Sequence, residues 1–163
     1  MTAQAFSQLI SIKRWADRGL HDVVSGQFDR LSAQDQSLML RILDHIHVVD
    51  RIFQRHLQGM PHVFRAPRSE QLPQLQALVS SMRAVDDWYA TYVSALDKAD
   101  LDQVVEFAFT SGKAARMKRS EILLHVCLHG TYHRGNAGAL LQLRGLTPSR
   151  DAITDYLEDA AAP

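Results

Sequence analysis

Apolar residues recur at intervals of three and four through most of this 163-residue chain, and this period constrains the fold more than any other feature. Helical spacing extends from about residue 4 to 28, 33 to 58, 70 to 96 and 118 to 144. Ser32 is a suitable cap for the second segment, while Gly59 and Gly145, each followed closely by proline, provide stops. The pattern therefore predicts four long amphipathic helices.

The helical period disappears between the third and fourth of these segments. Residues 104–110 read Val-Val-Glu-Phe-Ala-Phe-Thr and lead into Ser-Gly-Lys, which is typical of a short extended segment entering a turn. A short helix is predicted at about residues 151–157. We expect an all-α four-helix bundle with one crossover connection, a short hairpin or irregular insert before the fourth long helix, and a short C-terminal helix. All of it should form a single domain over residues 1–163.

Composition excludes several classes of function. Eighteen basic residues balance eighteen acidic ones, and no segment concentrates the positive charge that nucleic-acid backbones require. Neither a signal peptide nor a run of membrane-spanning length is found, and the lone Cys127 has no internal partner for a disulfide. We therefore expect a cytoplasmic protein that binds a small molecule, without nucleic-acid or membrane partners.

Five of the eight histidines fall in two short segments. At 100° per residue, His125, His129 and His133 lie at about 0°, 40° and 80°, on one helix face that also carries Leu128 and Leu143, and they should point into the bundle. His45 shares a face with apolar residues, whereas His47 points about 200° away. These positions leave four candidate ligands: His45, His125, His129 and His133. The remaining histidines are interpreted as surface or packing residues: His21, His47, His56 and His62.

A single inward histidine is more often a hydrogen-bonded core residue than a ligand. Several converging ones favour a metal site, because each unpaired buried polar group costs roughly 1 to 3 kcal/mol. Neutral imidazoles suit zinc, nickel, iron or copper. The Glu-x-x-His pairs of di-iron bundles are missing, since Glu121 precedes His125 by four residues and stands alone.

Two motifs carry a family resemblance: Ile42-Leu-Asp-His45-Ile-His-Val-Val-Asp50-Arg-Ile-Phe53 and His125-Val-Cys-Leu-His129-Gly-Thr-Tyr-His133-Arg-Gly-Asn136. Together with Lys13-Arg-Trp15-Ala-Asp17 and Gly145-Leu-Thr-Pro148, they resemble the DinB family of damage-inducible, metal-binding helical bundles over nearly the whole chain. Two departures affect any substrate contact: the family often has asparagine in place of Lys13 and Asp17, and glutamine in place of Asn136.

The resemblance implies a site and an activity. It implies that His45, His129 and His133 bind one divalent transition metal ion, zinc or nickel first and iron next, with His125 left over. Three protein ligands leave positions open, as in catalytic sites. Characterised members of the family are thiol-dependent metalloenzymes, so we expect transfer of a low-molecular-weight thiol to an electrophile in stress or detoxification. A non-catalytic metal-binding stress protein and a metal-dependent hydrolase are the alternatives.

Other residues allow more than one interpretation. Lys13 and Asp17, at i and i+4, form either an ordinary helix-face ion pair or the polar end of a bundle cavity. Arg134 is assigned a structural or interface role, Cys127 points away from the histidines, and Asp50 is the nearest carboxylate for hydrolysis. A stripe of small and apolar residues on the fourth helix packs either inside the fold or against a second copy: Leu123, Cys127, Gly130, Gly138 and Leu141. The resemblance favours a homodimer.

Overall fold

The computed structural model describes residues 2–161, which form six helices and one two-stranded sheet. In chain order they are α1 (Ala3–Gln27), α2 (Ala33–Leu57), α3 (Leu75–Ser94), α4 (Lys98–Asp102), β1 (Val104–Ala108), β2 (Ala114–Lys118), α5 (Arg119–Leu143) and α6 (Ile153–Ala161). A 3-10 turn, Phe28–Arg30, separates α1 from α2. The predictions of an all-α fold and of a small hairpin before the last long helix are confirmed.

Local chemistry accounts for the helix ends. Ser32 caps α2 as predicted, because its hydroxyl oxygen accepts a hydrogen bond from the backbone N–H of Asp35 at 3.2 Å. The predicted start of the third helix at about residue 70 was five residues early, since α3 begins at Leu75. Pro73 explains the difference, because proline disfavours helical backbone in the residue before it. Helix α4 was not predicted. It is only five residues long, and a capping box between Asp97 and Asp100 caps its N-terminus.

The four long helices contact one another in a ring, α1 with α3, α3 with α2, α2 with α5 and α5 with α1. Helices α2 and α5, which carry the candidate ligands, are therefore direct neighbours. The hairpin pairs antiparallel with Glu106 opposite Arg116, and it contacts α2 and the start of α5. Over residues 2–161, no helix is both long enough and apolar enough to cross a membrane.

A layer of buried charge divides the apolar interior into two clusters. One cluster includes Leu20 and Ile46, and the other includes Ile10 and Phe53. Buried charged residues lie close to the boundary between the two clusters along each long helix: Lys13 and Asp17 on α1, Asp50 on α2, Asp86 on α3 and Arg134 on α5. Each long helix thus contributes buried charge to this layer, and on α5 Arg134 directly follows the candidate ligand His133.

Candidate metal centre

Three of the four candidate histidines come together where α2 lies against α5. One ligand nitrogen from each of His45, His129 and His133 lies within 4.8 Å of the other two. The Nε2 atoms of His45 and His129 are 3.0 Å apart, and His133 follows His129 by one helical turn. The cluster is close enough to bind a single metal ion.

The protonation of these rings also suits a metal. Burial lowers the pKa of His129 to about 3, assisted by His133 and His45, and burial lowers the pKa of His133 as well. Both rings are therefore neutral at neutral pH and keep a lone pair for coordination. Two nitrogens bound to one zinc ion at about 2.0–2.1 Å each can be at most about 4.2 Å apart. The observed Nε2 separation of 3.0 Å satisfies this limit.

A backbone carbonyl fixes the tautomer of His45. The Nδ1 atom of His45 lies 2.7 Å from the carbonyl oxygen of Pro67. A carbonyl oxygen only accepts hydrogen bonds, so Nδ1 carries the proton and Nε2 is left free to bind a metal. Sequence reasoning missed this partner, because a backbone oxygen has no signature in residue types.

A buried carboxylate positions the loop that supplies this carbonyl. Asp44, only 1% exposed, accepts hydrogen bonds from the backbone N–H of Ser69 at 2.8 Å and from its hydroxyl at 2.7 Å. Both carboxylate oxygens are thus used, and the loop is held against α2 two residues beyond Pro67. Asp44 precedes His45 in the motif, which is the signal that sequence reasoning could have used.

We expect Asp44→Ala to weaken metal binding by about 10- to 100-fold, the usual effect of removing support behind a metal-binding histidine. The released loop would no longer hold Pro67 against His45. Competition with a chromophoric chelator measures the affinity. Ser69→Ala removes one of the two hydrogen bonds and should have a smaller effect in the same direction. An unchanged affinity in a folded Asp44→Ala protein would show that the loop does not orient His45.

The predicted orientation of the histidines is partly wrong. His125 is exposed and stacks on His129 with ring centroids 5.4 Å apart, so it does not point into the bundle. On α2, His47 is buried and lies 3.0 Å from the Ser81 hydroxyl, whereas His45 is half-buried. The reason is that α2 contacts both α3 and α5 and so has two buried sides. The histidine cluster lies at the edge of the interior rather than at its centre.

The interpretation of the α5 faces also changes. Leu128 and Leu143, which were placed on the interior histidine face, are 67% and 76% exposed. The stripe considered for a second copy is internal instead, since Leu123, Cys127 and Leu141 have at most 7% exposure. A Cβ atom on Gly130 would lie 3.1 Å from Nη1 of Arg134 and 3.4 Å from Cε of Lys13, so glycine allows α1 to approach here. This stripe is not available to a partner.

Lys13 and Asp17 form an ion pair that is buried rather than solvated. Nζ of Lys13 lies 2.7 Å from Asp17, 2.9 Å from Asp50 and 2.7 Å from Asp86, and all four side chains are buried. Arg134 joins Asp17 at 3.0 Å to Asp151 at 2.8 Å. The predicted pair between Lys13 and Asp17 is present, but it is buried, because the two carboxylates from α2 and α3 also enclose the ammonium group.

The acids of this network differ in pKa. Burial would raise the pKa of Asp17, but the charges of Lys13 and Arg134 lower it to about 2. Burial raises the pKa of Asp50 to about 6 and raises that of Asp86 well above its ordinary range, although Lys13 opposes both shifts. Asp50 is therefore buried and paired with Lys13, so it is not available as the carboxylate base that hydrolysis would require.

A mainly apolar cavity of about 220 Å³ adjoins the histidine cluster. We call it the apolar cavity, and its lining residues come from α2, the loop after it, the hairpin and α5: Val49, Ile52, Phe53, Pro67, Phe109, Thr110, His125 and His129. The hairpin turn thus closes one side of the site. A small apolar molecule that occupied this cavity would lie directly beside a candidate ligand, His129.

Comparison with known proteins identifies the family and supports the fold. The sequence pattern of the DinB family matches residues 1–162, and the chain belongs to that family. A crystal structure of a DinB-like protein from Bacillus cereus ATCC 10987 is similar in fold, with a TM-score of 0.63 and 20% sequence identity over 91% of this chain and 97% of that one. A comparison with curated proteins finds no match.

Proposed function

We propose that this protein is a metal-dependent enzyme that transfers a low-molecular-weight thiol to an electrophile. The observation that carries the proposal is the position of His129, which belongs both to the three-histidine cluster and to the wall of the apolar cavity. A reactive sulfur at the cluster and an apolar electrophile in the cavity would therefore be neighbours. Membership of the DinB family supports a metal site of this kind.

The chain's own residues have distinct roles in this proposal. His45, His129 and His133 would hold one divalent transition metal ion, with zinc or nickel favoured and iron also compatible. When bound there, such an ion supplies a lowered thiol pKa, so that the thiol reacts as thiolate at neutral pH. Phe53 and Phe109 would exclude water and hold the apolar part of the electrophile.

The reaction balances without a further reactant. The sulfur forms a bond to an electrophilic carbon, the bond from that carbon to its leaving group breaks, and the leaving group departs with the electron pair. The thiol proton passes to solvent. The protein contributes positioning and a dry cavity, which reduce the entropy cost of bringing two substrates together.

Hydrolysis has less support, because metal-dependent hydrolases usually have a carboxylate base close to the metal. In the part of the chain that the structure describes, no carboxylate lines the apolar cavity. Asp44 uses both oxygens on Ser69, and Asp50 is paired with Lys13. These contacts favour an externally supplied nucleophile.

The experiment is a product assay on protein purified without an affinity tag and loaded separately with zinc, nickel or iron(II). With 1-chloro-2,4-dinitrobenzene as electrophile and a panel of cellular thiols, we expect conjugate formation that saturates in thiol and is lost in His129→Ala. His62→Ala serves as the control, because His62 lies outside the cluster. In the cobalt-substituted protein, added thiol should produce a thiolate-to-metal absorption band.

Two outcomes would contradict the proposal. A metal-loaded protein that produces no conjugate above the uncatalysed rate with any thiol, and shows no thiolate band, is a non-catalytic metal-binding protein. Conjugate formation that persists in His129→Ala would place the activity outside the cluster.

We further propose a cytoplasmic location, and the resemblance to the family supports two more parts of the proposal: a role in stress or detoxification, and a homodimer. Because the stripe on α5 is internal, a dimer would have to use other surfaces. Exposed apolar side chains remain on the outer side of α5 at Leu128, Tyr132 and Leu143.

A further inference from the structure

Three arginines line two adjoining cavities beside His45. Arg41 lies on α2, one turn before His45, and Arg65 and Arg68 lie on the loop between α2 and α3. Arg41 and Arg68 line a cavity of about 370 Å³ together with His45. All three arginines line an adjoining cavity of about 510 Å³. We call these two cavities together the basic groove.

The arginines of the basic groove differ from most others in their pairing. Within residues 2–161, no carboxylate lies within 4.0 Å of the guanidinium groups of Arg41, Arg65 or Arg68. Seven other arginines do have such a partner: Arg14, Arg18, Arg83, Arg116, Arg134, Arg144 and Arg150. The groove therefore gathers cations whose hydrogen-bond donors are available to a ligand.

Two carboxylates also line the basic groove, and neither forms an ion pair with its arginines. Asp44 accepts two hydrogen bonds from Ser69, so its oxygens are occupied. Glu70 lies at the outer cavity and forms no ion pair with the three arginines. Three positive charges against two negative ones leave a net positive groove, in a chain whose overall formal charge is +0.

The loop presents its arginines in a fixed place. The hydrogen bonds of Ser69 to Asp44 hold the residue after Arg68 against α2. The contact between Pro67 and His45 holds the residue before it. Arg68 is thus anchored on both sides, and an anion bound by it loses little affinity to ordering of the loop.

We propose that the basic groove is a subsite for an anionic group, a carboxylate or phosphate, carried by the small molecule that reacts at the histidine cluster. Guanidinium groups bind both anions through paired N–H donors. The inference rests on the proposed function in one respect, which is that the molecule is a thiol. The charged end of the thiol would occupy the His45 side, and the apolar electrophile would occupy the His129 side.

The test compares the double variant Arg41→Gln, Arg68→Gln with the control Arg14→Gln, Arg18→Gln. The control changes the net charge equally, and its two arginines pair with Asp87 away from the groove. Calorimetry follows two thiols, glutathione and its diethyl ester, on zinc-loaded protein. Phosphorus NMR follows inorganic phosphate on metal-free protein.

We expect the groove variant to bind glutathione about 10- to 100-fold more weakly, the usual effect of losing hydrogen bonds to a charged group. Its affinity for the diethyl ester should change less than about twofold, because the ester carries no carboxylate for the groove to bind. The phosphorus resonance of inorganic phosphate should broaden with the wild-type protein and with the control variant, and it should stay sharp with the groove variant.

The outcomes separate this inference from the proposed function. Phosphate that fails to bind, or that binds equally to the groove variant, overturns the subsite whatever the activity of the protein. Phosphate binding that requires Arg41 and Arg68, with neither thiol bound, upholds an anion subsite and contradicts the thiol as its carrier. Equal loss of glutathione and diethyl ester in the groove variant would also overturn it.

Discussion

Replacement of His129 and His133 together by alanine should abolish tight binding of a divalent transition metal ion. These two rings are neutral and half-buried and lie one helical turn apart on α5, facing His45. Because even an indirect partner of a metal-binding histidine is worth about 10- to 100-fold in affinity, loss of two ligands should cost more than roughly 1,000-fold. Elemental analysis of tag-free protein measures the effect, with about one ion per chain expected in the wild type.

The matched control is the double variant His56→Ala, His62→Ala, which removes the same number of imidazoles from a separate pair whose ring centroids are 5.2 Å apart. It should keep the ion. The Nε2 contact between His45 and His129 could also be a hydrogen bond in a metal-free protein. If wild-type protein carries no metal and cannot be loaded with zinc, nickel or iron, that interpretation of the contact is correct and the enzyme proposal falls with the site.

Much of the fold could be predicted from the sequence, because the apolar period of a long helix is a repeated signal. Three of the four long helices were predicted to within two residues at both ends, where Ser32, Gly59 and Gly145 mark the boundaries. The exception was the start of α3, where Leu72 lies at helical spacing from Leu75 although Pro73 prevents helix before it. The apolar period shows which side chains are apolar, and it gives no information on where proline prevents a helical backbone.

The histidine cluster could be predicted for a different reason. The spacing of His129 and His133 is local, so one helix brings them together without any knowledge of the tertiary fold. Pairing with His45 was taken from family resemblance, since helix projection alone left His125 as an equal candidate. The projection failed where α2 and α5 each contact two neighbours, because a helix with two buried sides has no single inward face. His47 and Leu128 were misplaced for this reason.

The surroundings of the site could not be predicted from the sequence. The carbonyl of Pro67, the ring of Phe109 and the arginines of the loop reach His45 and His129 only through contacts between distant segments. The buried charge layer was missed for the same reason. Lys13 and Asp17 suggested a local pair, and nothing in the sequence indicated that Asp86, from a third helix, would complete it.

Replacement of Lys13 by methionine should lower the free energy of unfolding by about 3 to 5 kcal/mol at pH 7. Methionine keeps most of the apolar chain but removes the ammonium group that contacts Asp17, Asp50 and Asp86 in the interior. The three buried carboxyls would then lose their shared cation. This loss is a large fraction of the roughly 5 to 15 kcal/mol that stabilises an ordinary domain. Urea denaturation followed by circular dichroism measures it.

The control for packing is Asp86→Asn, which keeps the shape of the side chain and removes an acid whose pKa burial already raises well above its ordinary range. Its effect should be below about 1.5 kcal/mol, because the network contains more acids than cations and a neutral amide keeps the contact with Lys13. A cost for Asp86→Asn equal to that of Lys13→Met would mean that the ionised form of Asp86 is essential, contrary to this account.

The pH dependence of Lys13→Met distinguishes lost charge from lost packing. An acid whose folded pKa lies above its unfolded pKa binds more protons in the folded state, so it contributes stability that decreases as pH rises between the two values. Burial already raises the pKa of Asp50 to about 6 with Lys13 present, and removal of Lys13 should raise it further, because the ammonium charge opposes the shift. The variant should therefore regain part of its lost stability as pH falls from 7 toward 5. If the difference from wild type stays constant over that range, the variant has lost packing rather than a buried countercharge.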